Sequence, residues 1–246
     1  MEITKTLFSY EEISENKKSI PVIVVAAGLS SRMKGVNKQL LKIDGIPVIV
    51  KTLLKFNNNP YISRIIIVAK EESILDIEKL CGEYKINKVS DIITGGTTRH
   101  ESVVNGFKML GVGEDFVLIH DGARPFVTSG MINSVIKALD TADCAVTALS
   151  VTDTVKKTDG EDTVVDTVDR NNLFLAQTPQ GVNVKKYLSA CDLLKNKDFT
   201  DDASVMEKAG YKTVVCAGSR LNIKITTPED IPVAQAFSGI LKGESE

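Results

Sequence analysis

The chain has 246 residues, 43% of them hydrophobic, enough to fill one large α/β domain or two small ones and too much for a disordered or collagen-like chain. Its 30 Lys+Arg and 32 Asp+Glu leave a net charge of -2, so no global basic field recruits nucleic acid and any anion site must be built locally. Two histidines and four dispersed cysteines (Cys81, Cys144, Cys191, Cys216) without C-x-x-C spacing exclude a zinc cage and point to buried reduced thiols; the absence of Trp argues against a stacking platform for single strands.

Residues 1–19 read as a polar N-terminal extension. Lys17-Lys18 followed by the apolar run 20–29 imitates a secretory signal, but Glu11, Glu12 and Glu15 precede it and the run is too short to span a bilayer. A cytoplasmic location, off the membrane, is the expectation. Val22-Ile23-Val24-Val25 reads as a buried strand opening into Ala26-Ala27-Gly28-Leu29-Ser30-Ser31-Arg32-Met33, then Lys34, Gly35, Asn37, Lys38 and Gln39. Gly28 and Gly35 fit neither G-x-G-x-x-G nor G-x-x-x-x-G-K-[ST], so a dehydrogenase fingerprint and a Walker loop are excluded by spacing. What remains is a phosphate loop gripped by Arg32 and Lys38, or else a tight turn with two solvated charges.

A second apolar run, Ile65-Ile66-Ile67-Val68, precedes an amphipathic pattern at Ile74, Ile77 and Cys81. Gly95-Gly96-Thr97-Thr98-Arg99-His100-Glu101-Ser102 then leads into a helical pattern at Val103, Val104, Phe107 and Leu110. The strand Phe116-Val117-Leu118-Ile119 ends in His120-Asp121-Gly122-Ala123-Arg124-Pro125. Ligands of open α/β sheets bind at such strand ends, so Asp121 is expected to hold Mg²⁺ against a nucleotide's phosphates; its plainer role is to cap the next turn. His120 is assigned packing or hydrogen bonding.

Met131, Ile132, Val135, Ile136 and Leu139 give a further helix, and Ala145–Leu149 a further strand. From Val151 to Arg170, β-branched residues alternate with charges around Asp159-Gly160, predicting a projecting hairpin. Polar clusters follow at Thr178-Pro179-Gln180, Thr200-Asp201-Asp202-Ala203-Ser204 and Asn222–Pro228; each alone is an ordinary turn or cap. Thr227-Pro228-Glu229-Asp230 predicts a helix start with Pro228 at its first position, and Pro232 a short first turn or kink. Strand and helix in alternation predict a doubly wound, mostly parallel α/β sheet, Rossmann-like, with 20–246 as one domain and 150–171 as an arm.

Taken together, the motifs A-A-G-x-S-x-R-M, N-K-Q, G-G-x-x-R-x-x-S, H-D-G-A-R-P-F, D-T-V-K, Arg170, T-P-Q, T-D-D-A-S and N-I-K-I-T-T-P-E-D occur in one order over nearly the whole chain. In this the sequence resembles the 2-C-methyl-D-erythritol 4-phosphate cytidylyltransferases of the non-mevalonate isoprenoid pathway. The resemblance implies attack of a sugar-alcohol phosphate on the α-phosphate of CTP, with Mg²⁺ or another divalent cation, release of pyrophosphate and no covalent enzyme intermediate. It implies that Arg32, Lys38 and Lys224 surround the α-phosphate. CTP would meet Ala26, Ala27, Gly28, Gly95, Gly96, Arg99 and Ser102; the sugar phosphate would meet Asp121, Gly122, Arg124, Thr154, Arg170, Thr178 and Thr200.

The resemblance further implies a homodimer in which the arm of one subunit, flanked by Thr154 and Arg170, completes its neighbour's site. A ribitol 5-phosphate cytidylyltransferase shares fold, nucleotide and mechanism but accepts a longer polyol phosphate. The short Asp121-Gly122-Ala123-Arg124 run favours methylerythritol phosphate over it, since that family tends to bulkier residues between acid and arginine. A nucleotide-sensing module without activity would have little reason to keep Arg32, Lys38 and Lys224 all cationic.

Overall fold

The computed structural model describes residues 19–28, 37–194 and 199–243 of the chain. Strand β1 (Ile20–Val25) is buried at every residue, as a continuous apolar run requires. A two-residue ribbon, β2 (Lys42–Ile43) and β3 (Ile46–Pro47), turns through Asp44 and Gly45 at positive φ and delivers the chain to helix α1 (Val48–Asn57). Then come β4 (Ile62–Ala69), α2 (Ile74–Glu83), β5 (Val89–Thr94), α3 (Arg99–Phe107), β6 (Phe116–Asp121), α4 (Ser129–Ala138) and β7 (Cys144–Ser150). The second half adds β8 (Val155–Thr158), β9 (Val164–Val168), β10 (Phe174–Asn183), α5 (Val184–Leu193), α6 (Asp202–Lys208), β11 (Thr213–Ala217) and α7 (Asp230–Gly243).

Seven strands form one sheet in the order β11-β7-β10-β6-β1-β4-β5. The pairs β1–β4, β1–β6, β4–β5 and β7–β11 are parallel; β10 alone runs antiparallel, to both β6 and β7. From β1 the chain first builds outward through β4 and β5, then returns to lay β6 on the opposite side of β1. The gap between the carboxyl ends of β1 and β6 is therefore a topological switch point, where crossovers leave in opposite directions and open a crevice.

Helices cover both faces. Val22 and Val24 of β1 point into a layer with α1, α2 and α4, while Ile23 and Val25 point into the opposite layer with α3, α5 and α6. In that second layer Phe107 stacks on Tyr187 at 4.5 Å between ring centroids. Helix α3 lies so close to β1 that a Cβ at Gly106 would stand 2.6 Å from Ile23 Cγ2. A smaller apolar cluster, with Ile43, Phe126, Ile225 and Ala234, seats α7 beside the sheet's carboxyl edge.

Three local expectations change. Thr178-Pro179-Gln180 is no turn but the middle of β10, a strand whose polar residues Gln177, Thr178 and Gln180 are buried and hydrogen-bonded. The hairpin has no two-residue turn: Asp159 to Thr163 form a wider loop in which Asp159 Oδ1 accepts from the amides of Glu161 and Thr163, with Gly160 and Asp162 at positive φ. Helix α7 starts at Asp230 rather than Pro228, because Asp230 Oδ2 turns back to accept the amides of Thr226 (2.7 Å) and Thr227 (2.8 Å). Pro232 falls in its first turn, where the missing N–H leaves no bond broken.

Candidate active site

At the switch point lies a cavity of about 360 Å³ lined by Ala27, Gly28, Lys38, Arg99, Asp121 and Lys224, among others. Its floor is the register pair Val25↔Asp121, which brings the ends of β1 and β6 side by side. Lys38 follows the loop after β1, and Lys224 follows β11, so the two lysines come from opposite ends of the chain. Lys38 is 9% exposed and lines the cavity. Arg32 lies outside the described residues.

Part of the cavity lining comes from the segment 96–102, held by its own hydrogen bonds. Thr98 caps α3 by accepting the Glu101 amide (3.0 Å), and Glu101 Oε2 accepts from the Thr97 amide (2.7 Å), the Thr97 hydroxyl (2.6 Å) and the Thr98 amide (3.3 Å). This capping box supplies partners for N–H groups that a helix start leaves open. Ser102 Oγ accepts from the Gly96 amide (3.1 Å) and donates to the Thr98 carbonyl (2.9 Å). Gly95 is obligatory, since a Cβ there would stand 2.4 Å from Ala27 Cβ and 2.8 Å from Ser102 Oγ. Gly96, Ser102, Ala27 and Gly28 thus line one wall, while Ala26 is buried behind it, its amide donating to Val68 O at 2.7 Å.

Asp121 is the electrostatic centre. Its Oδ2 meets Lys224 Nζ at 2.8 Å and Arg124 Nε at 3.6 Å, and its Oδ1 meets Arg99 Nε at 3.2 Å. Burial alone would raise this carboxyl, but Arg99, Lys224 and Arg124 together hold it well below the usual carboxylate range. Burial likewise works against the charge of Arg99, and its two acidic neighbours override it, raising the guanidinium further. For Arg124 burial wins and the shift is downward. The turn-capping alternative for the Asp121 carboxylate is not what the geometry shows: its oxygens go to cations.

Two expected substrate contacts are engaged elsewhere. Gly122 is buried and does not face the cavity: its amide donates to Val25 O (2.9 Å), its carbonyl accepts the Thr52 hydroxyl (2.8 Å), and a Cβ would press on Ile49, Gln39 and the Val25 carbonyl. The glycine allows this close packing. Thr178, 3% exposed, accepts the Asp121 amide (3.1 Å) and bonds His120 Nδ1 (3.0 Å), so it holds the acid's backbone from below. Thr154, Arg170 and Thr200 are exposed and do not line this chain's own cavity. Arg170 Nη1 donates to the carbonyl of Thr152 at the arm's base.

The structure also brings in residues that lie within the motifs but were given no role there. Asp202, 1% exposed, pairs with Arg99 Nη2 at 2.8 Å and accepts the Tyr187 hydroxyl at 2.9 Å. The signal was the doubled acid in Thr200-Asp201-Asp202, where one acid suffices for a cap: Asp201 is that cap, accepting the Ser204 amide at 3.0 Å. Gln39, Thr97, Thr98, Ala123 and Thr226 also line the cavity.

Comparison with known proteins gives one answer. The family model described as IspD, 2-C-methyl-D-erythritol 4-phosphate cytidylyltransferase, matches residues 20–239. The chain is 42% identical over 224 residues to the 2-C-methyl-D-erythritol 4-phosphate cytidylyltransferase of Bacillus mycoides (strain KBAB4), covering 90% of this chain and 98% of that protein. It is 42% identical over 213 residues to the protein of the same name from Clostridium botulinum (strain 657 / Type Ba4), covering 85% and 93%. Among solved structures, the 4-diphosphocytidyl-2C-methyl-D-erythritol synthase of Anaerococcus prevotii DSM 20548 superposes with a TM-score of 0.81 at 31% identity, over 90% of this chain and 96% of that one.

Proposed function

The chain belongs to the 2-C-methyl-D-erythritol 4-phosphate cytidylyltransferase family, and from that premise we propose how its residues carry the reaction. It is a nucleotidyltransferase that moves the cytidylyl group of CTP onto 2-C-methyl-D-erythritol 4-phosphate, giving 4-diphosphocytidyl-2-C-methyl-D-erythritol and pyrophosphate in isoprenoid precursor biosynthesis. The ribitol phosphate and sensor alternatives are not favoured by relatives that share this one name.

In this reading a 4-phosphate oxygen attacks the α-phosphorus, the bond from that phosphorus to the bridging oxygen breaks, and the electron pair leaves on pyrophosphate. The nucleophile is already an anion, so no general base is needed; the barrier is the approach of two anions and the charge gathered at phosphorus. Lys38 and Lys224 supply the opposing charge, with Arg32 expected beside them. Lys224 waits on Asp121 at 2.8 Å and can pass from that carboxylate to a phosphate oxygen. The observation that carries the proposal is the convergence of Lys38 and Lys224 on one switch-point cavity.

The wall made by Ala27, Gly28, Gly96, Arg99 and Ser102, with Gly95 behind it, is assigned to the nucleotide. Asp121 and Arg124 are assigned to the sugar phosphate, with Gly122 and Thr178 as their buried supports and Thr200 outside the lining. The arm is assigned to a homodimer, where Thr154 and Arg170 enter the neighbour's site. Its exposed Val164 and Val165, 55% each, support that reading, because such side chains are normally covered.

The residues fit a protein-held divalent cation poorly. Among the described residues Asp121 is the sole carboxylate lining the cavity, both its oxygens already face cations, and there is no group of three metal-binding side chains. The metal role expected of Asp121 is therefore not retained, and no step above depends on one. No helix among the described residues is long and apolar enough to cross a membrane.

The test is pyrophosphate release from CTP with 2-C-methyl-D-erythritol 4-phosphate and ribitol 5-phosphate in parallel. Turnover with the methylerythritol phosphate is expected. Turnover with ribitol phosphate alone, or with neither, overturns the assignment.

A further inference from the structure

We infer that Asp202 is a positioning residue for the nucleotide, acting through Arg99; this rests on the reading that the cavity takes CTP. Arg99 is the first residue of α3, so the capping box fixes its backbone. A long side chain on a fixed backbone still has many rotamers, and lining a cavity leaves most of them open. Two acids remove that freedom: Asp121 takes Nε at 3.2 Å and Asp202 takes Nη2 at 2.8 Å.

Asp202 is itself fixed. It is 1% exposed, and the hydroxyl of the fully buried Tyr187 donates to its other oxygen at 2.9 Å. Tyr187 is in turn held by stacking on Phe107, at the C-terminal end of the helix that Arg99 begins. The chain of contacts Tyr187–Asp202–Arg99–Asp121–Lys224 runs from the core to the ammonium assigned to phosphate.

The division of labour follows from counting charges. Asp121 already serves Lys224 and Arg124. Without Asp202, Arg99 would turn wholly onto Asp121, leave its place on the nucleotide wall and compete with Lys224 for the same carboxylate. Asp202 does not line the cavity, and its route to it is the ion pair with Arg99.

The experiment measures CTP affinity by calorimetry in the folded full-length protein, alongside thermal midpoints. Asp202→Asn keeps the volume and removes the charge, and should weaken CTP about tenfold, through the loss of one close ion pair that orders Arg99. Arg99→Gln should weaken CTP at least as much, and adding Asp202→Asn to it should produce no further loss. Tyr187→Phe, a milder change that leaves Asp202 charged, should weaken CTP a few-fold, which keeps the inference open to test should Asp202→Asn fold poorly. A lowered midpoint with wild-type CTP affinity in Asp202→Asn, or in Tyr187→Phe where only that variant folds, overturns the inference by making the acid purely structural. An equal additional loss in the Arg99→Gln background also overturns it. Wild-type protein that fails to bind CTP overturns the functional reading itself.

Discussion

His120 shows how a polar residue can be central to this site without touching substrate. It is fully buried, with Nε2 3.1 Å from the Arg124 carbonyl and Nδ1 3.0 Å from the Thr178 hydroxyl, and Phe56 packs edge-on against its ring at 4.8 Å. A carbonyl can only accept, so Nε2 carries the hydrogen and Nδ1 accepts from Thr178, whose oxygen in turn accepts the Asp121 amide. Burial pushes the imidazole down to about 3. An unfolded histidine protonates near pH 6.5, so between about pH 6.5 and 3 the unfolded chain binds the extra proton and stability falls with pH. Asp121 acts in the same sense at lower pH, because the folded carboxyl stays ionised where the unfolded one protonates. Urea midpoints should therefore drop from pH 7.5 to pH 5, and His120→Asn should flatten that drop; an identical slope in the variant contradicts the assignment.

At this scale the sequence marked the ionic residues well and their partners poorly. Lys38, Arg99, Asp121 and Lys224 stand out as charges beside apolar runs, and all four line the cavity. Asp202 did not, because in Thr200-Asp201-Asp202 a second acid looks like part of a cap, and its partners Arg99 and Tyr187 are distant in sequence. Gly122 and Thr178 show a part that the motifs did not reveal: both support the strand end, Gly122 through its carbonyl to Thr52 and Thr178 through the Asp121 amide.

Elements were legible where burial matched hydropathy. The runs that became β1, β4, β6 and β7 are continuous and apolar, and α2, α3 and α4 follow their spacings of three and four, except that Leu110 and Leu139 fall past the ends of α3 and α4. Strand β10 was hidden because Gln177, Thr178 and Gln180 occupy a buried strand with polar side chains: Gln180 bonds Asp201 Oδ2 at 2.9 Å, and Gln177 bonds the Ser219 carbonyl at 2.9 Å. Hydropathy cannot register a polar group that is paid for by a hydrogen bond formed only after folding. Strands β5 and β11 are short sheet edges, half-buried and weakly patterned.

The arm carries its own prediction. If β8 and β9 complete the neighbour's site, a Lys38→Met subunit and an Arg170→Ala subunit are each inactive alone, but in a mixed dimer one site has both residues. An equal mixture, allowed to exchange subunits, should recover roughly a quarter of wild-type activity, since half the dimers are mixed and each has one whole site. Mixtures that never recover activity, with each variant inactive alone, would place Arg170 in its own subunit's chemistry.

Across the whole molecule, the sheet order is what makes the chemistry. Lys38 follows the first strand and Lys224 the last, and only the return of the chain across β1 to β6 brings both to one crevice with Asp121 between the two strand ends. That convergence was legible only as an ordered set of motifs. No local pattern says that a loop after β1 and a segment after β11 will share one wall, because topology sets that contact, not spacing. The most direct test is the turnover of Lys38→Met and Lys224→Met with CTP and 2-C-methyl-D-erythritol 4-phosphate at saturation. Each should lose on the order of 10²–10³ in kcat, the effect of removing one donor from a developing charge, with its thermal midpoint near wild type. Near-normal turnover in either folded variant would contradict the account.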